Sequence, residues 1–212
     1  MKYLYEFIGT FFLVLTIGMT VINPNSIGPF APLAIGTALA IMIYAGGHIS
    51  GGHYNPAVSF AVYLRGKLKL NEMGFYWLSQ CAGALLAGCL TIYFKGHTAS
   101  IPLDIANWKA FIAEFLFTFA LCFMVLNVAT AKATQGNSYF GWAIGFTVMV
   151  GAFCMGAVSG GAFNPAVALG LSLMKLTFWK HIWVFILSNL LGAAVAALVF
   201  KAAHKEVSKQ KG

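Results

Sequence analysis

The chain has 212 residues, 60% of them hydrophobic and only 8% charged, whereas a soluble domain carries about 25% charged residues. That deficit excludes an ordinary soluble surface, so the apolar length must face lipid or other spanning helices. The formal net charge of +8 does not indicate a nucleic-acid partner, because the basic residues are scattered at the ends of apolar runs rather than gathered on one soluble face.

Six apolar stretches reach the ~20 helical residues that cross a bilayer. They lie near 4–23, 30–48, 72–94, 109–131, 139–158 and 179–202. The first, behind Lys2, has no small-residue cleavage site after it and reads as a retained span rather than a signal peptide. Trp77, Trp108, Trp142, Trp179 and Trp183 each stand near the start of a span, where interfacial anchors belong. Cys81, Cys89, Cys122 and Cys154 sit inside apolar runs, with neither disulfide nor metal spacing.

With six spans, the termini share one side with the second and fourth connections. That side carries nine Lys and Arg residues against four on the other, which puts both termini in the cytoplasm of a multi-pass cell-membrane protein. The basic tail from Lys201 onward belongs to this pattern and can also touch anionic lipid.

Two short apolar pieces remain, 57–64 and 166–173, and neither spans alone. They belong to an internal repeat. Glu6-Phe7-Ile8-Gly9-Thr10 matches Glu114-Phe115-Leu116-Phe117-Thr118, Ser50-Gly51-Gly52 through Asn55-Pro56-Ala57-Val58 matches Ser159-Gly160-Gly161 through Asn164-Pro165-Ala166-Val167, and Ser79-Gln80 matches Ser188-Asn189. Each copy, over roughly 1–94 and 109–202, holds three spans and one short piece. Three is odd, so the second copy enters the membrane inverted. The predicted fold class is an all-α membrane protein, one domain over 1–212, with six transmembrane helices and two re-entrant half-helices. Two pieces of about 15 Å each, end to end, cover one ~30 Å hydrocarbon layer.

Asn followed by Pro is a helix start, in which the Asn side-chain oxygen caps and Pro fits the first turn. Asn55-Pro56-Ala57 and Asn164-Pro165-Ala166 each open a half-helix, leaving the Asn NH2 groups to donate into the space between them. Each helix start carries about half a positive charge. Two facing starts repel cations and turn a passing water so that its protons point away, breaking a proton wire. The preceding Gly51, Gly52 and His53, and Ser159, Gly160 and Ala162, are expected to line the passage with a ladder of backbone carbonyls, because irregular backbone at this depth must be buried or line a cavity. Glu6 and Glu114, acids inside spans, are expected to brace the two loops by accepting backbone hydrogen bonds. His48 and His53 lack a third ligand for a metal, and nothing in the sequence calls for a cofactor.

The run Gly47-His48-Ile49-Ser50-Gly51-Gly52-His53-Tyr54-Asn55-Pro56-Ala57-Val58, with Asn164-Pro165-Ala166, resembles the major intrinsic proteins, the aquaporins and glycerol facilitators. The resemblance covers Glu6 to about Phe200. It implies a homotetramer with one pore per subunit, and a selectivity constriction outside the asparagines at Ile35, Ala152, Gly161 and Val167. This chain departs from the family there. Water-selective members place an arginine where Val167 stands and often a histidine where Ala152 stands, and glycerol facilitators carry an aspartate where Ala168 stands. Arg65, the sole arginine, falls in a cytoplasmic connection. The resemblance therefore implies a wider, apolar constriction that passes water and also ammonia, hydrogen peroxide, urea or small polyols such as glycerol. An apolar ring can also dewet and slow water. A weaker resemblance, to plant vacuolar members with valine at this site, points to ammonia and peroxide. Cys154, two residues past Ala152, faces either the pore or a neighbouring helix.

A secondary transporter also uses inverted repeats, but it needs an acid at the midplane and a hinge. A junction protein that conducts little would need adhesive loops, which are short in this chain. No enzymatic constellation is present in the sequence. The expected partners are membrane lipid and small neutral solutes.

Overall fold

The structure is a computed structural model that describes residues 1–96 and 102–210, and of residues 205–210 the backbone only. The side chains of Lys205 and Lys209, and all of Lys211, thus fall outside the described residues. The helices in chain order are α1 (Lys2–Val21), α2 (Ala31–Ser50), α3 (Pro56–Leu64), α4 (Leu70–Lys95), α5 (Asn107–Thr130), α6 (Phe140–Ser159), α7 (Pro165–Leu173) and α8 (Ile182–Gln210). All but α3 and α7 are long and apolar enough to cross a membrane. The expected spans match to within a few residues, except that the last helix runs past 202 to Gln210. No proline interrupts the interior of a long helix, so the backbone hydrogen bonds continue unbroken through the apolar layer.

The order α1–α4 recurs as α5–α8, and equivalent contacts recur with it. Gly83 of α4 lies against α1 so closely that a Cβ would overlap the Phe7 carbonyl oxygen, and a Cβ on Gly192 of α8 would lie 2.6 Å from the Phe115 carbonyl oxygen of α5. These are the close crossings that small residues permit in a bilayer, where van der Waals packing drives association. Gly36 of α2 and Gly145 of α6 meet each other: a Cβ on Gly36 would stand 2.7 Å from the Gly145 carbonyl oxygen, and a Cβ on Gly145 would overlap that of Gly36. Residues equivalent by the repeat thus touch each other, which places a local two-fold axis between α2 and α6.

The ends of the bundle are tied by polar contacts. At the end that holds the N-terminus, Lys2 Nζ pairs with Glu72, and the Arg65 guanidinium lies 4.9 Å from the Phe200 ring. The contact of Arg65 with Phe200 puts the last turns of the described α8 side chains on this same end. At the opposite end Leu103 N donates to the Leu176 carbonyl at 3.0 Å, and His181 sits between Asp104 and Asn107. Trp108, Trp142, Trp179 and Trp183 are exposed, as interfacial anchors should be. Trp77 differs, because its Nε1–H donates to the Pro56 carbonyl at 2.9 Å and joins α4 to the start of α3.

Candidate functional site

α2 ends at Ser50 because Gly51 takes the left-handed conformation, φ 92° and ψ −11°, and α6 ends identically at Gly160. The chain then turns back through Gly52 (φ 63°) and Tyr54 (φ 49°), and in the second copy through Gly161 (φ 65°) and Phe163 (φ 47°). A left-handed bulky residue is costly unless its surroundings hold it. The two buried acids supply that hold. Glu6 Oε1 accepts from Ser50 Oγ (2.7 Å) and His53 N (2.9 Å), and Oε2 from Tyr54 N (2.6 Å) and Gln80 Nε2 (2.8 Å). Glu114 Oε1 accepts from Ser159 Oγ (2.7 Å) and Ala162 N (2.9 Å), and Oε2 from Phe163 N (2.6 Å).

Asn55 and Asn164 follow in extended conformation and cap the half-helices. Asn55 Oδ1 accepts from Ala57 N at 2.8 Å, and Asn164 Oδ1 from Ala166 N at 2.9 Å and Val167 N at 3.3 Å. Pro56 and Pro165 occupy the first helical positions. The half-helices have nine residues each, about 14 Å by the helical rise, and meet start to start.

The amide groups depart from expectation. Asn55 Nδ2 donates to the Phe163 carbonyl at 2.8 Å, and Asn164 Nδ2 to the Tyr54 carbonyl at 2.9 Å. One hydrogen of each NH2 is therefore spent on the opposite loop, and only the second is available to the passage. The reason is that each loop's last carbonyl, turned by its left-handed residue, would otherwise be buried without a donor. The exchange bolts the two half-helices together and fixes both asparagines.

Three cavities lie in series. A throat of about 20 Å³ is lined by both asparagines, by Gly52, His53, Tyr54, Gly161 and Ala162, and by aliphatic side chains. A volume of that size holds roughly one water. The aliphatic walls come in repeat-related pairs: Leu13 with Leu121, Ile17 with Val125, Ile35 with Ile144, Leu39 with Val148 and Val58 with Val167. Two mouths flank the throat: one of about 840 Å³ at the end of the N-terminus, bordered by Lys2, Lys67 and Lys132 and labelled inner for that position alone, and one of about 520 Å³ at the opposite end, labelled outer.

Ile35, Gly161 and Val167 line both the throat and the outer mouth, and so stand at the junction between them. Ala152 lines the outer mouth, with its Cα 3.4 Å from where a side chain on Gly161 would begin. The four residues carried over from the resemblance are thus brought together. Of the expected ladder, Gly51 lines the inner mouth, Gly52, His53 and Ala162 the throat, and Gly160 the outer mouth. Ser159 is fully buried and lines none of these three cavities, and its hydroxyl donates to Glu114 and accepts from Gly161 N.

Cys154 is exposed and does not line the outer mouth, so it faces the outside of the bundle and neither the passage nor the packed side of a neighbouring helix. Among the described residues no group of three His, Cys, Asp or Glu side chains could hold a metal ion. Sequence reasoning missed Gln80 and Ser59, which join Glu6 to His53, although the match of Ser79-Gln80 with Ser188-Asn189 marked the place. It also missed the roles of Tyr54 and Phe163 as carbonyl acceptors.

Residues 1–200 match the family described as major intrinsic protein. The chain is 35% identical over 209 residues to the protein of Arabidopsis thaliana called putative aquaporin NIP4-1, covering 94% of this chain and 73% of that protein. It is 34% identical to nodulin-26 of Glycine max, covering 94% of this chain and 76% of the relative. In fold it resembles the aquaglyceroporin of Plasmodium falciparum, with a TM-score of 0.77 and 22% identity over 94% of each chain.

Proposed function

The chain belongs to the major intrinsic protein family, the aquaporin-type channels, and on that premise we propose that it conducts small uncharged solutes passively through the throat at Asn55 and Asn164. The reading includes water and, beyond water, ammonia, hydrogen peroxide, urea or small polyols such as glycerol. The observation that carries it is the junction of throat and outer mouth. Ile35, Gly161 and Val167 supply no charge and no side-chain hydrogen-bond donor there. Arg65 is engaged with Phe200 at the other end of the bundle. Selection at this junction is then by size and by the cost of shedding water against an apolar wall.

Ions are excluded at the throat. Two helix starts, each with about half a positive charge, face one another there. The free hydrogen on each Asn amide orients a water oxygen toward the pair and interrupts proton hopping. The loop-bracing acids Glu6 and Glu114 are fully buried behind the loops and take no part in an ion path. The working unit is a homotetramer in the cell membrane with one passage per subunit and both termini cytoplasmic, so that the basic inner mouth faces the cytoplasm.

Stopped-flow light scattering on proteoliposomes tests the reading. Faster, non-saturating flux of water and at least one larger neutral solute than in empty liposomes is the expected result. Saturable, ion-coupled uptake would favour a transporter, and no flux of any solute would favour a structural role in membrane junctions.

A further inference from the structure

We infer that Ile43 and Ile144 form a second size filter in the inner half of the passage, in series with the outer junction and tighter than it. The inference deepens the proposed channel reading and rests on it.

The filter follows from the local two-fold axis. The repeat carries Ile35 of α2 onto Ile144 of α6, Ala152 of α6 onto Ile43 of α2, Gly161 onto Gly52 and Val167 onto Val58. The four residues gathered at the outer end therefore have an inner image. The backbone geometry repeats. A Cβ on Gly161 would stand 3.4 Å from the Ala152 Cα, and a Cβ on Gly52 would stand 3.4 Å from the Ile43 Cα. Ile144, Gly52 and Val58 line the throat, as Ile35, Gly161 and Val167 do.

The image departs from the original at Ile43. The outer set has a methyl group at Ala152, which opens onto the outer mouth. The inner set has a branched side chain in that place. Ile43 lies on the passage-facing stripe of α2, one turn beyond Leu39 of the throat and one turn before Gly47 of the inner mouth. It is nevertheless 1% exposed and lines none of the three cavities. Room that stands open beside Ala152 is thus filled beside Ile43. Val125 in place of Ile17 returns a single methylene of room, less than the exchange of alanine for isoleucine takes away.

A β-branched residue in a helix is held to one χ1 rotamer, and a close-packed wall yields little. The inner pair of isoleucines is therefore a fixed obstacle rather than a swinging one. The outer junction leaves room for urea and glycerol, and the inner pair does not leave as much. The solute class that fits both is the narrow one: water, ammonia and hydrogen peroxide pass in preference to urea and glycerol.

Proteoliposome flux of water, urea and glycerol reads the filter. Ile43→Ala, which copies the outer set, should raise the urea-to-water and glycerol-to-water flux ratios about ten-fold, the low end of what a change of this kind does to discrimination in an apolar site. Ile43→Val, a milder truncation that keeps the fold, should raise both ratios by less. Leu126→Ala is the control for loss of packing alone. Leu126 is fully buried in α5, beside the lining stripe of Leu121, Val125 and Ala129 but not on it, and its truncation should leave both ratios unchanged. Unchanged ratios in the Ile43 variants, or an equal rise in Leu126→Ala, would overturn the inference and leave the channel reading intact. Wild-type protein that conducts nothing above empty liposomes would overturn both.

Discussion

Gly36 and Gly145 stand back to back across the local two-fold axis, each in the place where a side chain of the other would begin. They are equivalent positions of the repeat, so one contact holds the two halves in register. The same axis relates the exchange in which Asn55 donates to Phe163 and Asn164 to Tyr54. The pairing of the halves and the pairing of the two capping asparagines thus follow from the same axis.

Gly36→Ala should destabilise the protein by about 1–3 kcal/mol, the range for forcing a methyl into filled space. The backbone of α6 would have to move, because the obstacles are the Met149 Cβ and the Gly145 carbonyl oxygen rather than the far end of a flexible side chain. Thermal unfolding in detergent reads the effect. Gly74→Ala, where nothing lies within 4 Å, is the matched control and should change little.

The two bracing acids should respond alike to amide replacement. An amide in place of Glu6 turns its nitrogen toward the backbone N–H of either His53 or Tyr54 and strands it, whereas the Ser50 hydroxyl and the Gln80 amide can turn to accept. An amide in place of Glu114 likewise strands the N–H of either Ala162 or Phe163. Each stranded buried donor costs about 1–3 kcal/mol. Glu6→Gln and Glu114→Gln should therefore each lower the unfolding temperature in detergent, by similar amounts.

At the outer end, the Asp104 carboxyl is held below its ordinary value, first by hydrogen bonding from His181 and then by Lys180. A carboxylate with a depressed native pKa stabilises fully above its unfolded value, about 3.9, and loses that contribution as pH falls further. Asp104 is largely exposed, so the effect is small and weakened by salt. Wild-type protein should lose outer-loop protection in hydrogen exchange as pH falls below about 4, while Asp104→Asn should lack this acid step.

Thiol reagents separate the passage from the outer surface of the fold. Cys154 is exposed but away from the outer mouth, whereas Ala152 lines it. A membrane-impermeant methanethiosulfonate should leave wild-type flux unchanged and should block Ala152→Cys. Block of the wild type through Cys154 would place that residue in the passage.

Local chemistry made much of this legible. Asn-Pro capping, the nine-residue length of α3 and α7 and the order of the repeat are properties of short stretches, and they located the half-helices without coordinates. The contact of Gly36 with Gly145 was hidden although both residues lie at repeat-equivalent positions, because the crossing of α2 and α6 depends on how the halves assemble. The fate of the asparagine amides was hidden for the same reason. Capping chemistry fixes the oxygen, but the partner of the nitrogen is a carbonyl more than a hundred residues away. The use of the Ser159 hydroxyl on Glu114 was hidden too, because the Gly-rich pattern around it concerns the backbone alone.

Val167 lines both the throat and the outer mouth, and the proposed selection of solutes has its place there. Proteoliposomes carrying Val167→Arg, compared with wild type for water, urea and glycerol, test it directly. The expected result is at least about a ten-fold loss of the larger solutes, ~1.4 kcal/mol of added barrier, with water flux much less affected. Unchanged discrimination among the three solutes would contradict it.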